Sequence, residues 1–209
     1  KSTIARLLAA DLRFIYVDTG ALYRAVGYTM LQEGIDPADA AAAEERLPEL
    51  QVDLRSVDGV QRDFVNDQDV SDCIRTAEVS MAASAVSALP AVRQFLLQLQ
   101  RDLAASSNVI MDGRDIGTVV LPEADVKIFL TATSEDRARR RYAELKERGV
   151  DSDYATVLSE IIARDEKDTR RAAAPLRKAE DAIPVDTTGN SLEESFEVLL
   201  KTIKERLDA

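Results

Sequence analysis

The stretch Val109–Val120, VIMDGRDIGTVV, gathers two carboxylates and a guanidinium, Asp112, Arg114 and Asp115, behind a short apolar run. An apolar run of that length reads as a buried strand, and the turn after it would lie at the carboxyl end of a parallel sheet, where open α/β sheets bind ligands. Arg114 offers a planar fork of donors that suits phosphate oxygens. Asp-Gly is also a common turn dipeptide, so a plain surface turn is the competing reading.

Four further groups could join it. Lys1-Ser2-Thr3 opens a helical pattern (Ile4, Leu7, Leu8) and matches the end of a phosphate loop of the form G-x-x-x-x-G-K-[ST]. There the lysine reaches phosphate oxygens and the hydroxyl sits on Mg²⁺, although Ser-Thr is also an ordinary helix cap. Asp18-Thr19-Gly20-Ala21-Leu22-Tyr23-Arg24 follows a β-rich run and puts Tyr23 and Arg24 one turn into a helix. Ser84 and Arg93 flank a helix break at Pro90 and could converge on a small ligand, or simply belong to a helix–helix connection. Arg164, Asp168 and Arg171, spaced four and three apart, share one helical face and suit phosphate and ribose hydroxyls. The neighbouring Glu166, Lys167 and Arg170, and the run Arg139-Arg140-Arg141, read as solvated surface.

Composition narrows the chemistry. The 209 residues contain no histidine, which removes Ser-His-Asp and Cys-His catalysis and the usual general base near neutral pH. One cysteine, Cys73, excludes an internal disulfide and a Cys-rich zinc site; it reads as a small, partly buried side chain, and a reducing cytoplasm fits. A formal charge of 27 − 38 = −11 disfavours a nucleic-acid partner, and no apolar run is long enough to span a membrane. Twenty of the 27 basic residues are arginine, which reflects either many anion forks or codon bias.

The elements that must carry these residues follow from periodicity. Strands are expected at Phe14–Val17, 109–112, Val126–Leu130 and Ala182–Val185, and helices at Ala21–Glu33, Ala77–Ala88, Pro90–Ala105, Ser134–Arg148, Tyr154–Arg171 and Leu192–Leu207. Gly34 and Gly149 should close helices, and Pro37 should open one over 37–50. Gln51–Val70 reads as short antiparallel strands punctuated by Asp58-Gly59 and Asn66-Asp67, with the span 55–63 short for a hairpin. Strands alternating with helices predict an α/β fold, a parallel sheet covered on both faces, with a small β insertion on one side.

Taken in order and spacing, KST, YVDTGALYRA, DVSDCIRTAEVSMAASAVSALPAVR, QRDLA, MDGRDIGTVVLPEADVKIFLTATSEDRARRR, ARDEKDTRRAAAPLRKAEDA and VDTTGNS resemble the bacterial cytidylate kinases, P-loop nucleoside monophosphate kinases, from Lys1 to about Leu200. The resemblance implies a doubly wound, five-stranded parallel sheet, a nucleoside-monophosphate-binding insertion and a helical lid. It divides the chain into core at 1–46, insertion at 47–90, core at 91–148, lid at 149–171 and core at 172–209. It implies ATP-dependent phosphorylation of CMP and dCMP by a cytoplasmic monomer, with Mg²⁺ as cofactor and neither nucleic-acid nor membrane partners.

By the same resemblance Lys1, Ser2 and Thr3 close the ATP phosphate loop, with Ser2 on Mg²⁺. Tyr23, Arg24 and Arg114 hold the acceptor phosphate region, and Asp18, Thr19, Asp112 and Gly113 also belong to the substrate-binding set. Ser84, Arg93 and Asp115 read cytosine, whose exocyclic amine beside two acceptors complements a carboxylate or hydroxyl and an arginine. Asp168 and Arg164 serve the ribose region and Arg171 the transferring phosphates; Lys1, Arg114, Arg164 and Arg171 form the catalytic set. Thr187 is a weak candidate for adenine. No general base is then required, because the acceptor is already an anionic oxygen.

The glycine-rich part of the phosphate loop and the strand before it are not in this sequence. A molecule beginning at Lys1 is expected to be an inactive, poorly stable fragment, and one that carries them to be active; intact mass and a kinase assay separate the two. The competing readings are a superfamily relative with another small acceptor and a non-catalytic nucleotide-binding protein.

Overall fold

The computed structural model describes residues 1–57 and 60–207, in two compact units, 2–113 and 114–209 with Lys1. The Asp58-Gly59 turn expected from sequence lies outside the described residues.

In the first unit α1 (Ser2–Leu12) buries Ile4, Ala5, Leu8 and Ala9, while Leu7 faces outward. It is followed by β1 (Ile15–Asp18) and α2 (Thr19–Gln32). Asp18 ends the strand and caps the helix by accepting from the Ala21 N–H at 3.2 Å, which satisfies one of the amides a helix start leaves open. Gly34, at φ 71°, follows the end of α2 in the left-handed conformation that glycine adopts without steric cost. β5 (Val109–Asp112) pairs in parallel with β1, from Ile15↔Val109 to Asp18↔Asp112. That register places two aspartates side by side where both strands end.

Helix α3 (Ala40–Arg46) corrects one expectation. Pro37 does not open it; Asp39 does, by accepting from the Ala41 and Ala42 N–H groups, and Pro48 instead lies in the 3₁₀ turn Leu47–Glu49. β2 (Val52–Val57), β3 (Val60–Val65) and β4 (Gln68–Asp69) form the expected antiparallel sheet. β2 and β3 pair along their full six residues, Val52↔Val65 through Val57↔Val60, so the short span is accommodated.

A 3₁₀ turn, Cys73–Arg75, leads to α4 (Ala77–Val86) and α5 (Pro90–Ser106). Cys73 is exposed, contrary to expectation, because Ile74 beside it takes the buried position. Leu22, Val26, Met30, Val65, Ile74, Val86, Val92 and Leu96 make one core in this unit. α2 and α4 approach closely at Gly27, where a Cβ would stand 3.0 Å from Ala82 C and Cβ and from Ala83 N.

In the second unit the segment after Arg114 forms a wide helical turn, Ile116–Val120, in which the Asp115 carbonyl accepts from the amides of Val119 (2.9 Å) and of Thr118 and Val120 (3.3 Å each). β6 (Ile128–Thr131) and β7 (Ile183–Asp186) pair in parallel from Ile128↔Ile183 to Thr131↔Asp186. α6 (Ser134–Glu147), followed by Gly149 at φ 70°, packs with α7 (Tyr154–Arg170); α8 (Leu192–Leu207) closes the chain. No single helix among the described residues is long and apolar enough to cross a membrane.

Candidate active site

The end of the β1–β5 pair supplies the first constellation. Asp112 accepts from Ser2 Oγ at Oδ2 (2.7 Å) and from the Tyr16 hydroxyl at Oδ1 (3.2 Å), and its carbonyl accepts from Thr19 Oγ1 at 2.7 Å. Tyr16 stays a neutral phenol, because burial, and then the charges of Asp112 and Asp18, push its pKa far up. Ser2 and Thr3 lie in the first turn of α1, with exposed Lys1 just ahead of it. A hydroxyl and a carboxylate held 2.7 Å apart are hard oxygen donors of the kind Mg²⁺ takes from protein, so the pair fits the ion.

Asp18, one strand over, is 6% exposed and accepts from Arg24 Nη2 at 2.7 Å and Arg75 Nη1 at 3.1 Å, both on Oδ2. Burial alone would raise its pKa, but the two guanidiniums prevail and hold it below the usual carboxylate range. Gly20 leaves room for this pairing: a Cβ there would stand 3.1 Å from Asp18 Oδ1 and 3.3 Å from Arg24 Nη1. Arg75 further reaches Asp63 on β3, with Nη2 3.9 Å from Oδ2. Sequence reasoning missed Arg75 and Asp63; the available signals were an arginine after an isolated apolar residue and an aspartate two positions from Val65 on the same side of its strand.

Near the α4–α5 break Arg93 donates from Nη1 to the Ser87 carbonyl at 3.0 Å and lies 5.7 Å above the Tyr23 ring. Ser84 is half-buried on α4 and accepts at its carbonyl from Ser87 Oγ. Tyr23, Ser87 and Arg93 are thus brought together, and the helix break they surround is also a well-bonded connection.

The second unit holds its own charge cluster. Arg114 Nε donates to Asp168 Oδ2 at 2.8 Å. Arg171, with a side chain only 9% exposed, stands 3.6 Å from Asp115 Oδ1 and 3.9 Å from Asp168 Oδ1, and donates from Nε to the Ala174 carbonyl at 2.6 Å. Asp115 and Asp168 are 6% and 7% exposed. Arg164, one turn before Asp168 on α7, is exposed; Gly113, half-buried, joins β5 to Arg114. Arg137 of α6 donates from Nη1 to Asp165 of α7 at 3.0 Å, which ties those helices together.

Two readings from sequence are corrected here. Arg140 is not mere solvation, since its Nη2 donates to the Thr187 carbonyl at 2.7 Å. Thr187 is 2% exposed and its hydroxyl donates to the Thr131 carbonyl at 3.1 Å, so its side chain braces the β6–β7 ends and is not presented to adenine.

Comparison with known proteins gives a consistent answer. The family model described as cytidylate kinase matches residues 1–205. Cytidylate kinase of Caldicellulosiruptor bescii is 51% identical over 201 residues, 96% of this chain and 89% of that protein. The cytidylate kinase of Carboxydothermus hydrogenoformans is 49% identical over 208 residues, 100% of this chain and 94% of that protein, and that of Bacillus subtilis 43% over 206 residues, 99% and 92%. With phosphate-suited arginines on buried aspartates, one of which, Asp18, ends the parallel β1–β5 pair, and this match over residues 1–205, the chain belongs to the cytidylate kinase family.

Proposed function

We infer that this protein transfers the γ-phosphoryl group of ATP to CMP and dCMP, giving ADP and CDP or dCDP. The observation that carries the reading is that Arg24, Arg114 and Arg171, the guanidiniums suited to phosphates, each stand against an aspartate more than nine-tenths buried. Donors fixed in advance in a dry setting need little reorganisation when charge shifts between phosphates.

In this reading Lys1, Ser2 and Thr3 belong to the ATP side. Mg²⁺, when bound, neutralises phosphate charge, and Ser2 and Asp112 would hold it. Tyr23, Arg24 and Arg114 take the acceptor phosphate, with Asp18 and Thr19 fixing the turn that carries the first two. Ser84, Arg93 and Asp115 read the cytosine edge, while Arg164 and Asp168 serve the ribose side and Arg171 the transferring group. Residues 149–171 act as a lid that excludes water, so that the phosphoryl group passes to CMP and is not hydrolysed. One protomer supplies every residue assigned, so a monomer suffices, and the one-cysteine composition suits the cytoplasm.

Phosphorus NMR of the full-length protein with ATP, Mg²⁺ and CMP tests this. CDP and ADP should appear in equal amounts; release of inorganic phosphate with CMP unchanged would contradict it.

A further inference from the structure

Arg75 belongs to none of the positions given a role above, yet it is anchored to two buried aspartates at once, Asp18 and Asp63. Its Nη1 shares Asp18 Oδ2 with Arg24 Nη2, so two guanidiniums meet at one carboxylate oxygen. Nη2 stands 3.9 Å from Asp63, whose carboxyl group is 2% exposed and whose Oδ1 has no hydrogen-bond partner among the described residues. A carboxylate so buried is costly unless an opposing charge compensates it.

Despite these two anchors the Arg75 side chain is 45% exposed. A guanidinium has five N–H donors, and the contacts to Asp18 and Asp63 engage only part of that fork. Arg24 and Arg75 are matched in charge by Asp18 and Asp63, and what the two guanidiniums offer a phosphate dianion is the N–H donors those contacts leave unused. An arginine that only braced the insertion would gain nothing from being placed beside a second arginine.

Resting on the activity inferred above, we propose that Arg75 is a further binding residue for the acceptor phosphate, acting beside Arg24 across their shared Asp18, and that Asp63 is the positioning residue that holds Arg75 in place. The insertion thereby contributes to holding the phosphate. Charge-assisted, forked hydrogen bonds are strong and directional, so the loss should fall on the phosphate alone.

The test is calorimetric titration of CMP and of cytidine, without ATP, into the full-length wild type and into Arg75→Ala, Arg75→Lys and Asp63→Asn. Arg75→Ala should weaken CMP about tenfold or more and leave cytidine unchanged. Arg75→Lys keeps the charge but loses the fork, and should recover only part of that loss. Asp63→Asn should weaken CMP a few-fold, again with cytidine unchanged. Equal weakening of both ligands, or of neither, would overturn the proposal, and Arg75→Lys decides it even if Arg75→Ala does not fold. A wild type that binds no CMP overturns the function inferred above together with this proposal. A wild type that phosphorylates CMP while the Arg75 variants keep its CMP-to-cytidine ratio overturns this proposal alone.

Discussion

Arg114 and Asp168 stand 54 positions apart, and Nε of the first donates to Oδ2 of the second at 2.8 Å. The same carboxylate has its other oxygen 3.9 Å from Arg171, which in turn lies 3.6 Å from Asp115. Two arginines and two aspartates therefore alternate in a chain, all four side chains at most 29% exposed. Each arginine's direction depends on the aspartates beside it, so removing an aspartate should also disturb the arginine it holds.

A double-mutant cycle on Asp115 and Arg171 measures that dependence. Arg171→Ala should lower the maximal rate by about a hundredfold or more while changing CMP binding little. Asp115→Ala should loosen discrimination of CMP from UMP and, by releasing Arg171, also lower the rate. The coupling in kcat/KM should be about 1–3 kcal/mol; strictly additive effects would mean that the two side chains act independently.

Ser2 and Asp112 should report on the metal. Ser2→Ala and Asp112→Asn are each expected to raise the Mg²⁺ concentration needed for half-maximal activity about tenfold or more, by analogy with the effect of removing a metal-orienting group. An unchanged Mg²⁺ requirement in both variants would remove them from the metal site.

Two buried aspartates should respond to pH with opposite sign. Asp63 is raised, chiefly by burial, so its charged form burdens the native state. Its contribution is most favourable below the unfolded value of about 4 and declines as pH rises through its elevated native value. Asp63→Asn should thus match wild type in stability near pH 3 and exceed it at neutral pH. Asp18 is held low despite its burial, so its contribution is present above about pH 4 and is lost as pH falls through its native value. Asp18→Asn should be destabilising by about 2 kcal/mol at pH 7, with Arg75 half-exposed and partly screened, and the penalty should shrink on acidification. Denaturant midpoints across pH 2.5–8 check both; slopes of the same sign would refute the assignment.

Gly27 tests the packing of α2 against α4. Alanine would gain about 0.5–1 kcal/mol of helix propensity, but its Cβ would meet the backbone of Ala82 and Ala83 at 3.0 Å, which cannot rotate away. Overpacking of this kind costs about 1–3 kcal/mol. Gly27→Ala should therefore lower Tm by about 3 °C, and Gly27→Val by more. A rise in Tm would show that α2 and α4 part easily.

Much of this arrangement is legible along the chain because it is local. Asp18 caps the helix after its strand, Gly34 and Gly149 follow helix ends, and Pro90 opens α5, each through interactions within a few residues. Pro37 misleads because the Asp39 carboxylate, two residues on, accepts from the amides of Ala41 and Ala42 and so sets the helix start. The wide turn Ile116–Val120 is invisible to periodicity, since five apolar and small residues fit a strand equally well. Arg75 reaching Asp18 across 57 positions, and Arg140 reaching Thr187 across 47, are encoded only by folding. An arginine-rich composition does not reveal which guanidiniums are gripped by buried aspartates and which are solvated.

The most direct test of the account is kcat/KM for the full-length protein with Mg²⁺, ATP and, in turn, CMP, dCMP, UMP, AMP and GMP, followed by ADP release. CMP and dCMP should exceed the others by about a hundredfold or more, since a wrong base leaves a buried polar group without its partner at a cost of about 1–3 kcal/mol each. Equal turnover of AMP or GMP, or ADP release independent of any acceptor, would contradict it.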